Sequence, residues 1–187
     1  MKNDYPIVDL PRPYPPEYGF RLYDYVLEHK PKVVVEFGSS WGFTSIYMAK
    51  ALQINGSGRL WTCDNDSSRV FKAKSNFEDY GVSELIDIQW IRYTEWLKNP
   101  CEFDMCYIDI HNDGKKLQTI FEDKFFESQI RKGKKVLFEG GSSVRNEVAV
   151  SRGMSSFNLI KYEYSLIFGD DNTKHVISEI NGGQLYE

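Results

Sequence analysis

Apolar residues along the chain fall into two kinds of period, and their order predicts strands alternating with helices. Over 17–29, Tyr18, Leu22, Tyr25 and Val26 stand at i, i+4, i+7 and i+8, the stripe of an amphipathic helix that Pro31 ends. His29 at its last turn is placed as a favourable charge for the helix dipole. The unbroken run Val33-Val34-Val35 then reads as a buried parallel strand over 32–37. Helical spacing resumes over 43–53, with Phe43, Ile46, Tyr47 and Ala51 on one side, and Asn55-Gly56-Ser57-Gly58 stops it. A second strand spans 59–64. A helix over 67–80 carries Val70, Ala73, Phe77 and Tyr80, with Asp66 as its cap and Gly81 where a terminating glycine belongs. Alternation over 86–91 predicts a more exposed strand, and Trp96 is expected in the core.

The second half repeats the pattern. Residues 103–108 read as a strand that ends in an acid at Asp109, and Leu117, Ile120, Phe121 and Phe125 predict one helix. The run 134–141 reads as a strand, and Gly140-Gly141-Ser142-Ser143, a flexible floor, precedes a short helix over 144–150. Two β-rich runs, 158–168 and 173–180, are joined by Gly169-Asp170-Asp171-Asn172, a hairpin signal. At the other end, residues 5–16 hold five of the seven prolines, which prevents regular helix and favours an extended arm.

Composition narrows the classes. With 187 residues, 41% hydrophobic and 15% aromatic, the chain fills one core, so a single domain over 1–187 with an arm over 1–16 is expected. A formal charge of −4 offers no footprint for nucleic acid. The one dense basic cluster, 131–135, is broken by Gly133 and reads as a solvated turn. No apolar run reaches membrane-spanning length and no signal segment follows Met1, so a soluble cytoplasmic protein without a membrane partner is expected. Cys63, Cys101 and Cys106 are odd in number and lack metal-site spacing, which reads as reduced, buried thiols.

The chemistry concentrates at Val33-Val34-Val35-Glu36-Phe37-Gly38-Ser39-Ser40-Trp41-Gly42-Phe43-Thr44. A buried strand that ends in an acid and turns through two glycines into a helix is the form of a nucleotide-type site, with the first helical amides facing the ligand. Gly38 and Gly42 provide positive φ and close ligand approach. A dinucleotide site wants G-x-G-x-x-G, but position 40 is Ser40, and Glu36 would repel phosphates while suiting an ammonium or sulfonium. A tight strand-to-helix turn in some other α/β protein is the alternative. An acid 22 residues past Gly42, Asp64, stands at the next strand end, where a carboxylate accepts hydrogen bonds from both ribose hydroxyls. Asp66 is assigned to capping and Asp64, with Asn65 beside it, to the ligand.

The run Glu36-Phe37-Gly38-Ser39-Ser40-Trp41-Gly42-Phe43-Thr44 resembles the first motif of class I S-adenosylmethionine (SAM) dependent methyltransferases. More narrowly it looks like the E-x-G-x-x-x-G-[YF]-[ST] form of small-molecule, catechol-type O-methyltransferases. The resemblance covers roughly 17–180 and implies an α/β fold: a Rossmann-like, doubly wound, mostly parallel seven-stranded sheet with a C-terminal antiparallel hairpin, in three α/β/α layers. It implies SAM as cofactor, held by Glu36, Gly38, Ser39, Ser40, Gly42, Phe43, Thr44, Asp64 and Asn65, with Tyr93 and Thr94 where adenine contacts lie. It places Asp109 beside the transferred methyl and, in metal-dependent members, on Mg²⁺. In those members the fifth strand ends in Asp-Asn; here Glu139 and Gly140 stand there, so a metal would rest on Asp109 and Glu139, with Asp113 or Asn112 as further donors. His111 is placed to take the acceptor's proton, since an imidazole changes charge near neutral pH, and a surface role is its alternative. The proline-rich arm is a lid over the acceptor, or else packing or a partly disordered segment.

The expected function is methyl transfer from SAM to an oxygen, or a nitrogen, of a small-molecule acceptor, with Asp109, His111 and Glu139 on the acceptor side. The expected partner is the small-molecule acceptor, with a homodimer as an open alternative for assembly. The Asn/Asp-Pro-Pro-aromatic signature of many DNA and protein-glutamine amino-methyltransferases is missing after the fourth strand. Other readings are a SAM- or nucleotide-binding protein without catalysis, and an NAD-dependent enzyme, against which the missing central glycine speaks.

Overall fold

The computed structural model describes residues 5–11 and 14–185, with side chains described as far as 182. The parts of the predicted arm at 1–4 and 12–13 lie outside the described residues. The chain forms two compact units, Met1–Asn99 and Pro100–Glu187.

In the first unit, α1 (Pro16–His29), β1 (Val33–Phe37), α2 (Phe43–Asn55), β2 (Arg59–Asp64), α3 (Ser67–Asp79), β3 (Ile86–Trp90) and a one-turn helix α4 (Tyr93–Trp96) follow in order. The strands are parallel, ordered β3-β2-β1, with Phe37 opposite Cys63 and Asp64 opposite Trp90. Val34, Val35 and Phe37 of β1 are fully buried, each contributing about 1.5–3 kcal/mol of hydrophobic stabilisation. β3 has the exposed character its alternation predicts, with only Ile88 buried. Trp96 is buried edge-on against Phe37, as expected of a core residue. Asp66 caps α3 by accepting from the Ser68 and Arg69 amides. The described part of the arm packs on α1 and reaches the end of α3: Tyr5 stacks on Phe20 and donates its hydroxyl to Asp24, Tyr14 stacks on Tyr18, and the Asp9 amide donates to the Tyr80 hydroxyl.

The second unit contains β4 (Met105–Ile108), α5 (Gly114–Phe121), α6 (Lys124–Arg131), β5 (Lys135–Glu139), α7 (Ser143–Ser151), β6 (Tyr162–Phe168) and β7 (Ile177–Leu185). Their order is β4-β5-β7-β6; β4 and β5 are parallel, while β7 runs antiparallel to both its neighbours. The C-terminal antiparallel hairpin is therefore present.

Four expectations need correction. The single helix expected through Phe125 is two, because the Asp123 carboxylate accepts from the Phe125 and Phe126 amides and starts a new helix there. Phe126 is thereby the fully buried ring and Phe125 a half-buried one. The hairpin strands start later than predicted: Phe157–Leu159 is a short 3₁₀ turn held by Asn146, and Thr173 belongs to the turn, donating to Asp170. The floor at 140–143 is pinned rather than flexible: Ser178 donates to the Gly140 carbonyl, Tyr164 to that of Gly141, Ser142 to that of Thr173, and Ser143 to Asp171. Cys101 is exposed, while Cys63 and Cys106 are buried free thiols. Burial pushes the Cys63 thiol up to about 12, so it stays protonated at neutral pH.

The basic cluster carries its own counter-charges. Arg131 pairs with Glu127, Lys132 with Glu102, Lys134 with Asp104 and Lys135 with Glu179, all within 2.9 Å. Such surface pairs contribute about 0–1 kcal/mol each and leave little positive field to attract a polyanion. Among the described residues no helix is long and apolar enough to cross a membrane.

Candidate active site

The glycine turn leaves β1 with Gly38 at φ +97 and enters α2 through Gly42 at φ +90, and Ser40 between them also has positive φ, at +47. Gly42 is required for a reason besides ligand approach: a Cβ there would lie 2.4 Å from the Phe77 ring of α3. The turn is held from three directions. Gly38 and Ser39 amides donate to the Cys63 carbonyl, and Asn76 of α3 donates its side-chain amide to the Trp41 carbonyl at 2.8 Å. The Ser40 amide donates to Asp64 Oδ2 at 3.0 Å.

Asp64, at the end of β2, is 6% exposed and accepts the Ser40 amide on one oxygen and the Asp66 amide on the other. A carboxylate has about four lone-pair sites, so two take no hydrogen bond here, with the Arg69 guanidinium 4.0 Å from Oδ2. Asn65 is exposed, and its carbonyl accepts from the indole of Trp90. Tyr93 is half-buried beside Phe37 and Thr94 is exposed at the start of α4. Phe43 is buried in the first turn of α2.

Glu36 is placed differently from its expected role. It is 0% exposed, and its carboxyl accepts from three hydroxyls: Thr44 at 2.6 Å, Ser45, and Thr62 at 2.7 Å. Burial pushes its pKa up, and the three hydroxyls pull it back down. Glu36 therefore ties β1, β2 and the first turn of α2 together instead of presenting its charge to a cation. Thr44, expected among the ligand residues, gives its hydroxyl to this cluster. Ser39 does not: its Oγ is buried, with the residue 2% exposed, and it meets no hydrogen-bond partner among the described residues. An unpartnered buried hydroxyl costs about 1–3 kcal/mol, which a ligand's polar atom would recover.

In the second unit, Asp109 follows β4 and Glu139 ends β5, and the register pairing Ile108 with Phe138 sets the two acids at neighbouring strand ends. Asp109 is half-buried. His111 is exposed at the top of the following loop, at φ +55, and its charge acts favourably on Glu139. The loop is built on Asn112, fully buried, whose side-chain amide donates to the carbonyls of Ile108 and Glu139 and whose oxygen accepts from the Ile110 amide. Lys116 donates to the Ile110 and His111 carbonyls.

Glu139 does not stand open as an acid, base or metal ligand. It is 3% exposed, and Arg145 of α7 holds both its oxygens, Nε to Oε1 at 2.8 Å and a terminal nitrogen to Oε2 at 3.1 Å. Burial raises its pKa and Arg145 opposes that rise. Arg145 also donates to the Asn112 carbonyl and lies over the Phe157 ring. Among the described residues no three His, Cys, Asp or Glu side chains converge as a metal site.

Ser45, Thr62, Asn76 and Arg145 are structural partners that pattern reading missed. Asn76 alone carried a signal, a polar amide on the otherwise apolar stripe of Ala73 and Phe77. Arg145 reads as an ordinary exposed helix position.

No family model matches the chain, and no curated protein does either. Solved structures do. The O-methyltransferase TomG from Streptomyces achromogenes, involved in tomaymycin synthesis and solved with SAM, superposes with a TM-score of 0.66 at 17% identity, over 97% of this chain and 83% of that one. An O-methyltransferase from Bacillus cereus, solved with S-adenosylhomocysteine (SAH), gives 0.67 at 18% over 95% and 84%. A ribosomal protein L11 methylase from Lactobacillus delbrueckii subsp. bulgaricus gives 0.60 at 14% over 91% and 81%. The chain thus has the Rossmann-like fold of the SAM-dependent methyltransferases, as the first motif implied.

Proposed function

We propose that the protein is a SAM-dependent methyltransferase whose cofactor is held by the turn at 38–44 and by Asp64. The observation that carries this reading is the unpartnered buried Ser39 hydroxyl in a turn whose next-strand acid keeps two lone-pair sites open. Those residues fit SAM: Asp64 would accept the ribose hydroxyls, and the turn would supply Ser39, Ser40 and backbone polar groups, with Asn65, Tyr93 and Thr94 as adenine-side residues. Two solved proteins of the same fold hold SAM and SAH, which supports the choice of cofactor over NAD.

When bound, SAM supplies a methyl already activated by a sulfonium. What is left to the chain is alignment and proton removal. Asp109, half-buried at the end of β4, would orient the acceptor, and exposed His111 would take its proton. Glu139 acts through structure, fixing Arg145 and the loop on Asn112. A small molecule with an oxygen nucleophile is the acceptor class closest to the first motif. A nitrogen nucleophile stays open, and so do larger acceptors, since a ribosomal protein methylase shares the fold. The commitment of Glu139 to Arg145 also favours a second reading, a SAM-binding protein without turnover, which methyl transfer from labelled SAM would exclude.

The test is a pair of titrations on the wild type and Asp64→Ala, with SAH and with NAD. SAH is expected to bind the wild type, and the substitution to weaken it by roughly 30-fold or more, the equivalent of about 2 kcal/mol for lost charge-assisted hydrogen bonds. Unfolding curves of both proteins separate this from loss of the Asp64 contacts to the turn. Preference for NAD, or equal SAH affinity in the variant, would sink the assignment.

A further inference from the structure

The second unit raises the question of a metal. The resemblance to catechol-type enzymes carries the expectation of Mg²⁺ at the carboxyl ends of β4 and β5, and the side chains present there are otherwise engaged. Mg²⁺ needs several oxygen ligands near ideal octahedral geometry. Glu139 gives both oxygens to Arg145, whose own positive charge would repel a dication at that place. Asn112 is fully buried, with its amide spent on the Ile108 and Glu139 carbonyls and its oxygen on the Ile110 amide. Asp113 caps α5 by accepting from the Lys116 amide.

The amide that metal-dependent members carry after the strand-5 acid cannot be restored. Gly140 occupies that position at φ +117, and a Cβ on it would lie 2.5 Å from the Phe157 ring. Phe157 is itself fixed: it is 1% exposed, its amide donates to Asn146, and Arg145 stacks over its ring. A side chain at 140 would thus meet the phenyl ring, and the guanidinium engages both oxygens of Glu139. Asp109 is one half-buried carboxylate, and a single carboxylate is a weak ligand set.

We infer that this protein works without a divalent metal, the Arg145 guanidinium standing permanently where a dication would neutralise Glu139. The inference depends on the methyltransferase reading only for the expectation of a metal. If methyl transfer occurs, proton removal from the acceptor rests on the side chains of the 109–111 loop, without an ion to acidify the acceptor.

The experiment is calorimetric titration of the chelator-treated full chain with MgCl₂ and with MnCl₂, each with and without SAH, beside thermal unfolding of the wild type and of Arg145→Gln. For the wild type, any cation affinity is expected to be weaker than about 1 mM, with SAH affinity unchanged within about twofold by the metal. One-site binding of either metal in the micromolar range, lost in Asp109→Asn, would overturn the inference. Arg145→Gln frees Glu139, so Mn²⁺ is expected to raise the melting temperature of this variant and not that of the wild type. A folded variant indifferent to Mn²⁺ would overturn the role given to Arg145. Should the variant fail to fold, the wild-type titration decides alone. Loss of SAH binding throughout would strike the methyltransferase reading and leave the metal result legible.

Discussion

Glu36→Ala is expected to destabilise the protein by roughly 3–5 kcal/mol, because it empties a fully buried site and leaves three hydroxyls without their common acceptor. Thr44, Ser45 and Thr62 come from two elements, so the loss loosens the start of α2 against β2 and with it the glycine turn. Glu36→Gln keeps the volume and an acceptor and should stay within about 1 kcal/mol of the wild type. The two variants also differ in pH response. Burial raises the folded pKa of Glu36, so the folded state binds more protons than the unfolded chain above about pH 4.5; stability from this group is greatest below that value and falls as pH rises toward the folded pKa. Glu36→Gln removes that slope. Denaturant midpoints measured from pH 4 to pH 9 would check both effects, and equal midpoints for the alanine variant and wild type would contradict the organising role.

Arg145→Ala has an expected cost of about 3–5 kcal/mol, the usual result of leaving one charge of a buried pair alone. It also removes the donor to the Asn112 carbonyl and the contact with the Phe157 ring. The remaining carboxyl of Glu139, already raised by burial, loses the neighbour that lowers it and rises further. The variant therefore keeps the proton on folded Glu139 to higher pH than the wild type does. Its deficit is smallest in acid and widens as pH increases from the folded pKa of Glu139 in the wild type to the higher one in the variant. Replacing Glu139 and Arg145 together by Leu and Met should recover most of the loss at neutral pH. Thermal unfolding of the single and double variants at two pH values measures this, and a pH-independent deficit in Arg145→Ala would contradict it.

How far the sequence predicts these features depends on whether a feature is periodic. β1, β2, α2 and α3 were legible because Val33-Val34-Val35, the Asn55-Gly56 stop and the Asp66 cap are local signals whose meaning does not depend on distant residues. The hairpin was legible in kind and misplaced in extent, since Asn146 and Asp170 capture residues that β propensity alone would assign to strands. The α5–α6 break was hidden because Phe121 and Phe125 keep helical spacing across Asp123. At the site, glycine spacing and the position of Asp64 pointed to the turn, and the partners of Glu36 and Glu139 were hidden for one reason. An acid at a strand end is visible in sequence, whereas the hydroxyls and guanidinium that engage it lie between 6 and 26 residues away with no pattern.

The central claim, that the turn at 38–44 together with Asp64 forms a SAM site, is tested most directly by calorimetric titration of the wild-type protein with SAH. The account predicts one site per chain with affinity in the micromolar range, about −8 kcal/mol, and no requirement for added metal. No saturable binding at millimolar SAH, from protein shown to be folded, would contradict it.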